Sequence, residues 1–142
     1  MSRTHQTQWA AQFAVASELC KRGYEVALTM GNHPSVDLMV RSPRGVSFSV
    51  DVKGLYKPNF WVVKAKPDYT SLFYVLAFVP EDTANRFFVL TQVQMNREIR
   101  DNSAQVMSRA KEKGRKIDVN RFPGIRWGKA SAFEEKWDVL PR

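Results

Sequence analysis

The feature that most restricts this chain is an unbroken apolar run, Leu72 to Val79, bounded by Ser71 before it and Pro80 after it. A membrane-spanning helix needs roughly 20 apolar residues, so the run is too short to cross a bilayer. A strand with one wet face would alternate apolar and polar residues, and this one does not. It reads as a strand covered on both faces, at the centre of a sheet. The rest of the chain must then supply a layer on each side. With 142 residues there is material for one core of this kind, so residues 1–142 are read as one domain. A hydrophobic content of 44% against 25% charged residues excludes bulk disorder.

Residues 5–22 predict a helix. Trp9, Phe13, Ala16 and Cys20 recur at helical spacing and are taken as its buried stripe, with Cys20 in the core. Gly23 stands where helices end on a left-handed residue. Strands are predicted at 24–29, 35–41 and 46–53, with a turn at 30–34 and a hairpin-like connection at 42–45. The third strand alternates strictly: Val46, Phe48, Val50 and Val52 on one face, Ser47, Ser49, Asp51 and Lys53 on the other. A further strand is expected at 86–90, helices at 92–98 and 103–113, and a short closing helix at 131–140. A helix, a three-strand meander and then mixed elements give an α/β fold layered around one mixed sheet.

Two of these strands carry acids. Asp37 is out of phase with Val36, Leu38 and Val40, and Asp51 shares a face with Lys53. If the 42–45 connection pairs the strands antiparallel, Asp37 comes near Asp51. Two carboxylates held together repel unless a cation neutralises them. A hard divalent ion takes oxygen ligands, and two carboxylates with a backbone carbonyl, here that of Val52, and waters suffice for Mg2+ or Mn2+. Lys53 would then stabilise negative charge developing on a phosphate or orient the attacking water.

Ser35-Val36-Asp37-Leu38 followed by Ser49-Val50-Asp51-Val52-Lys53, behind a helix that ends at Gly23, resembles the PD-(D/E)XK nuclease motif. The chain is similar in this respect to Holliday junction resolvases and small prokaryotic PD-(D/E)XK endonucleases. The likeness covers residues 9–53 well and thins beyond residue 90. It implies a restriction-endonuclease-like central mixed β-sheet flanked by helices, and metal-dependent cleavage of DNA phosphodiester bonds. By the resemblance Asp37 and Asp51 bind Mg2+ (or Mn2+), Lys53 is the catalytic lysine, and two copies pair as a homodimer to cut both strands. Where the family usually has an acid on the first helix, this chain has Gln12. Gln12 lies about 60° from Trp9 on the helical wheel, while the helix's acid, Glu18, falls opposite Trp9 and reads as a surface residue. Gln12 is either the active-site substitute or a plain helix-flank residue. An amide oxygen ligates Mg2+ less well than a carboxylate, so the alternative is a catalytically weak or inactive nuclease-fold module that binds DNA.

The charge agrees with a polyanionic partner. The net charge is +8 and the sequence pI about 9.9, and the excess is concentrated. Residues 53–66 hold Lys53, Lys57, Lys64 and Lys66 without an acid, and a second excess is densest at Arg109, Lys111, Lys113, Arg115 and Lys116. Lys57, Lys64, Lys66, Arg109, Lys113 and Arg115 are therefore candidate phosphate contacts, which position a nucleic acid without reading its sequence. Trp61, set among these lysines, reads as an edge strand or packed loop, and Asp68 as a turn or cap residue. His5 and His33 lack metal-ligand spacing. The single cysteine cannot form an internal disulfide, and residues 1–6 lead into no signal-type apolar segment; a cytoplasmic setting, no membrane partner and no organic cofactor are the expectations.

Overall fold

A computed structural model of the chain describes residues 2–29, 36–118 and 123–142. The predicted turn at 30–34, with His33, lies outside them, as does Ser35. Helix α1 is Arg3–Lys21. The Ser2 hydroxyl caps its start by accepting the His5 N–H at 3.3 Å. At its end Tyr24 N–H reaches Leu19 O and Gly23 N–H reaches Cys20 O, each at 3.0 Å, with Gly23 at φ 91°. That is the left-handed glycine the sequence called for, because the chain must reverse there without a Cβ in the way.

The strands are β1 (Glu25–Leu28), β2 (Leu38–Arg41), β3 (Ser47–Leu55), β4 (Phe60–Val62), β5 (Leu72–Phe78), β6 (Arg86–Thr91) and β7 (Gly124–Arg126). Five of them form one mixed sheet in the order β1-β2-β3-β5-β6, and β4 pairs with β7 in a second, two-stranded sheet. The apolar run is β5, at an interior position, parallel to β3 and antiparallel to β6. Phe73, Val75 and Ala77 enter one core with α1, while Leu72, Tyr74 and Leu76 enter the other. This second core is closed by Trp61 of β4, Ile125 of β7, and Met95 and Ile99 of helix α2 (Gln92–Glu112). A central mixed sheet flanked by helices is the fold class expected. Among the described residues no helix is long and apolar enough to cross a membrane.

Three expectations are corrected. First, α1 buries Thr7, Ala11, Gln12, Val15 and Leu19, not the Trp9, Phe13, Ala16, Cys20 stripe. Phe13 is 56% exposed and stacks on Trp9 outside the core, and Cys20 is exposed. The buried face is roughly 150° around the helix from the expected one. Gly54 decides it: a Cβ there would lie 2.7 Å from the Ala11 Cβ and 3.0 Å from the Thr7 carbonyl. So close an approach to β3 admits only small side chains, and the aromatics are turned outward. Glu18 consequently borders the buried face, half-buried and paired with Lys21 at 3.3 Å and Arg22 at 3.8 Å.

Second, α2 is one helix rather than two. A capping box starts it, with Thr91 and Gln94 exchanging side-chain and backbone hydrogen bonds of 2.9 and 3.1 Å. The gap left between the two expected helices, 99–102, is helical as well, and there Asn102 accepts from Arg126 Nε at 3.1 Å. Third, residues 131–140 form two short 3-10 turns, Ser131–Phe133 and Trp137–Val139, after a brief helix α3 (Trp127–Ala130). Glu135 between them adopts φ 56°, which no helix accommodates. Its N–H instead binds Phe87 O at 2.9 Å, so Trp137 and Leu140 reach the α1 core. The segment is also fastened to β6 by a bidentate Arg86–Glu134 pair, both contacts 2.7 Å, and Arg86 holds the Glu134 carboxyl below its ordinary range. The small β4–β7 sheet had no counterpart in the pattern reading beyond an edge strand or packed loop at Trp61.

Candidate active site

The β2–β3 hairpin is antiparallel, with Leu38 opposite Val50, so Asp37, one residue before β2, continues the register toward Asp51. Its backbone is tied on both sides: Asp37 N–H donates to Val50 O at 3.1 Å, and Thr29 N–H donates to Asp37 O at 3.1 Å. The Asp37 side chain accepts from Gln12 Nε2 at 3.2 Å and from Val52 N–H at 2.8 Å. Gln12 is only 9% exposed. It is in place because α1 sits so close to β3. Gln8, one turn earlier, fastens that contact by donating to Val52 O at 2.7 Å and accepting Gly54 N–H at 3.3 Å.

Asp51 is 5% exposed. It faces the second core, in register with Tyr74 of β5. Lys53 Nζ lies 3.4 Å from its Oδ1, and Lys66 Nζ lies 3.1 Å from its Oδ2. The two acids feel each other. Burial pushes the Asp37 carboxyl up to about 6, and the neighbouring Asp51 adds to the rise against the Val52 N–H and the Lys53 charge. Tyr74 is pushed up to about 12, first by burial and further by Asp51, with the Gln92 amide acting the other way. Its hydroxyl stays neutral and accepts Gln92 Nε2 at 3.2 Å.

Asp37, Asp51, Lys53 and Gln12 are therefore brought together. The Val52 carbonyl is at the same place and already accepts from Gln8, with a second lone pair left on the oxygen. Among the described residues no group of three or more His, Cys, Asp or Glu side chains gathers; the site has two acids, with the Gln12 amide beside Asp37. Lys66, expected at a phosphate, is at Asp51. Asp68 accepts Asn96 Nδ2 at 2.8 Å. Lys57 and Lys64 are exposed on either side of β4, with the Lys57 ammonium 5.7 Å from the Tyr56 ring centre. Arg109, Lys113 and Arg115 line a pocket of about 220 Å³ with Lys116 and Arg126, over a floor of Val106, Ala110 and Ile117. Lys113 is about 25 Å further along the α2 axis than Asn96. A larger cavity of about 460 Å³, lined by Ala27, Met39, Arg41 and Ser49 among others, lies on β1–β3 and includes neither acid.

The residues that pattern reading missed are Gln8, Tyr74, Gln92 and Asn96. Only Tyr74 left a signal, as a hydroxyl inside an apolar strand that must find a partner once buried.

No protein-family model matches this chain, and no curated protein matches it. Among solved structures it is similar to that of a bacterial homing endonuclease, I-Ssp6803I, with a TM-score of 0.55 and 20% sequence identity, covering 98% of this chain and 91% of that one. The likeness is one of fold: the five-stranded mixed sheet with its flanking helices is a nuclease-like fold.

Proposed function

We propose that this chain is a metal-dependent endonuclease of the PD-(D/E)XK type that hydrolyses phosphodiester bonds in DNA. The observation that carries the proposal is the meeting of Asp37, Asp51 and Lys53 on adjacent strands of a nuclease-like sheet. The structural likeness to a homing endonuclease supports it.

The donor set fits a hard divalent cation. Asp37 and Asp51 offer carboxylate oxygens and Val52 a carbonyl. Bound there, Mg2+ or Mn2+ would polarise the phosphate and lower the pKa of a bound water. The chain's own groups do the rest. Gln12 and the Val52 N–H fix the Asp37 carboxylate. Lys53 supplies an ammonium to the charge that grows on the phosphate. Lys57, Lys64, Arg109, Lys113 and Arg115 hold backbone phosphates. Two copies acting together supply one centre for each strand.

The test is cleavage of plasmid and branched DNA with Mg2+ or Mn2+. Wild type cuts, and Asp51→Ala loses at least a hundredfold in rate; equal cutting by Asp51→Ala refutes the mechanism. A second reading, a DNA-binding module of weak or no catalytic activity, is favoured by one observation: Gln12 presents an N–H to Asp37 where the family usually has an acid. Salt-dependent binding without metal-dependent turnover supports that reading. So does Gln12→Glu if it creates activity absent from the wild type.

A further inference from the structure

Asp51 is met by two lysines, and only Lys53 belongs to its own strand. Lys66 comes from the segment between β4 and β5, where there is no regular structure. A lysine on such a segment loses rotamer freedom when it is fixed, so its position has to be held. Asn96 of α2 does. Its Nδ2 donates to Lys66 O at 2.6 Å, and its Oδ1 stands 3.4 Å from Lys66 N–H, so one amide binds both backbone groups of this residue as a neighbouring strand would. Gln92, one turn earlier and 1% exposed, donates to Asn96 Oδ1 at 3.4 Å and to the Tyr74 hydroxyl. Tyr74 in turn flanks Asp51 across the sheet, and the Lys66 ammonium lies 5.8 Å from its ring centre.

Compensating the buried Asp51 charge does not by itself call for this arrangement, because Lys53 already lies at 3.4 Å. Charge balance suggests more. Asp37 and Asp51 are matched by Lys53 and Lys66. A divalent cation on the acids would leave two positive charges without counter-ions. A phosphodiester carries one negative charge, and its pentacoordinate transition state carries two. A centre with this surplus is complementary to the transition state and not to the ground state.

Building on the nuclease reading, we propose that Lys66 is a second catalytic lysine, which guards Asp51 in the cation-free centre and turns to a non-bridging phosphate oxygen once a divalent cation takes its place; Asn96 is its positioning residue. Lys66 transfers no proton. The oxygen of water bonds to phosphorus as the bond to the leaving oxygen breaks, water gives its proton to solvent, and the leaving oxygen takes one from solvent.

The experiment measures two quantities on Lys66→Met, Lys66→Arg, Asn96→Ala and Asp51→Asn: Mn2+ affinity by calorimetry without DNA, and single-turnover cleavage at saturating Mn2+. Lys66→Met binds Mn2+ about fivefold more tightly, because a competing ammonium is gone, yet cuts roughly a hundredfold more slowly. Lys66→Arg recovers part of the rate. Asn96→Ala moves both quantities the same way by smaller factors, with KM unchanged, whereas a merely structural role lowers thermal stability and does not raise Mn2+ affinity. Unchanged or weaker Mn2+ binding, or a rate within twofold of wild type, overturns the proposal. Should Lys66→Met fail to fold, Asn96→Ala decides it by the same pair of readouts. If Asp51→Asn keeps both cation binding and cleavage, the nuclease reading falls. If Asp51→Asn abolishes them and the Lys66 variants change neither, only the second lysine falls.

Discussion

Replacing Asp37 with asparagine should stabilise the protein while removing its proposed activity. In the folded chain the Asp37 carboxyl lies at about 6 against an ordinary 3.8. The folded state therefore holds this proton more tightly than the unfolded state does. The resulting stability is fully present below about pH 4 and is lost as the pH rises through 6. A rise from 3.8 to about 6 corresponds to roughly 3 kcal/mol at about 1.4 kcal/mol per pH unit. The carboxyl is only partly shielded from water, which reduces the expected cost to about 1–2 kcal/mol. Asparagine keeps the shape and the acceptor for Val52 N–H, and its amide can donate to Gln12 if Gln12 turns over. Thermal unfolding followed by circular dichroism in EDTA should place Asp37→Asn about 3–6 °C above wild type at pH 8, with the curves converging near pH 4. Saturating Mn2+ at about a hundred times its Kd should raise wild type by about 2.7 kcal/mol and the variant by far less. A gap that is the same at pH 4 and pH 8, or an Asp37→Asn protein less stable than wild type at pH 8, would refute the reasoning.

Gly54→Ala forces a Cβ to 2.7 Å from Ala11 and 3.0 Å from the Thr7 carbonyl. It should cost about 1–3 kcal/mol in urea unfolding and should lower cleavage beyond that, because α1 carries Gln8 and Gln12. The double variant Lys113→Ala/Arg115→Ala should weaken DNA binding uniformly across sequences. It should also flatten the slope of log affinity against log salt by about 0.9 for each phosphate contact removed, read by fluorescence anisotropy; an unchanged slope would take these residues off the DNA path.

Periodicity and short loop closure made part of this molecule legible locally, although α2 was expected as two helices and 131–140 as one. The apolar run at 72–79 had to be an interior strand, since nothing else buries both faces of so short a segment. The alternation through 46–53 set which side chains of β3 face α1. A connection as short as 42–45 left β2 and β3 little choice but to pair, which carried Asp37 to Asp51. The face of α1 was not legible in this way. Residues 9, 13, 16 and 20 and residues 7, 11, 15 and 19 both have helical spacing, and apolarity favoured the wrong set.

What the amino-acid sequence alone determined, then, is the interior strand, the phase of the hairpin strands and the pairing of two acids across one hairpin, all consequences of periodicity and short loop closure. Tertiary packing decided which helix face meets the sheet, because the approach at Gly54 selects side chains by size rather than by hydrophobicity. It also placed Lys66 against Asp51 and Asn96 against Lys66, contacts separated by 15 and 30 residues. No local pattern encodes such contacts, since they exist only once α2 has packed onto the far face of the sheet.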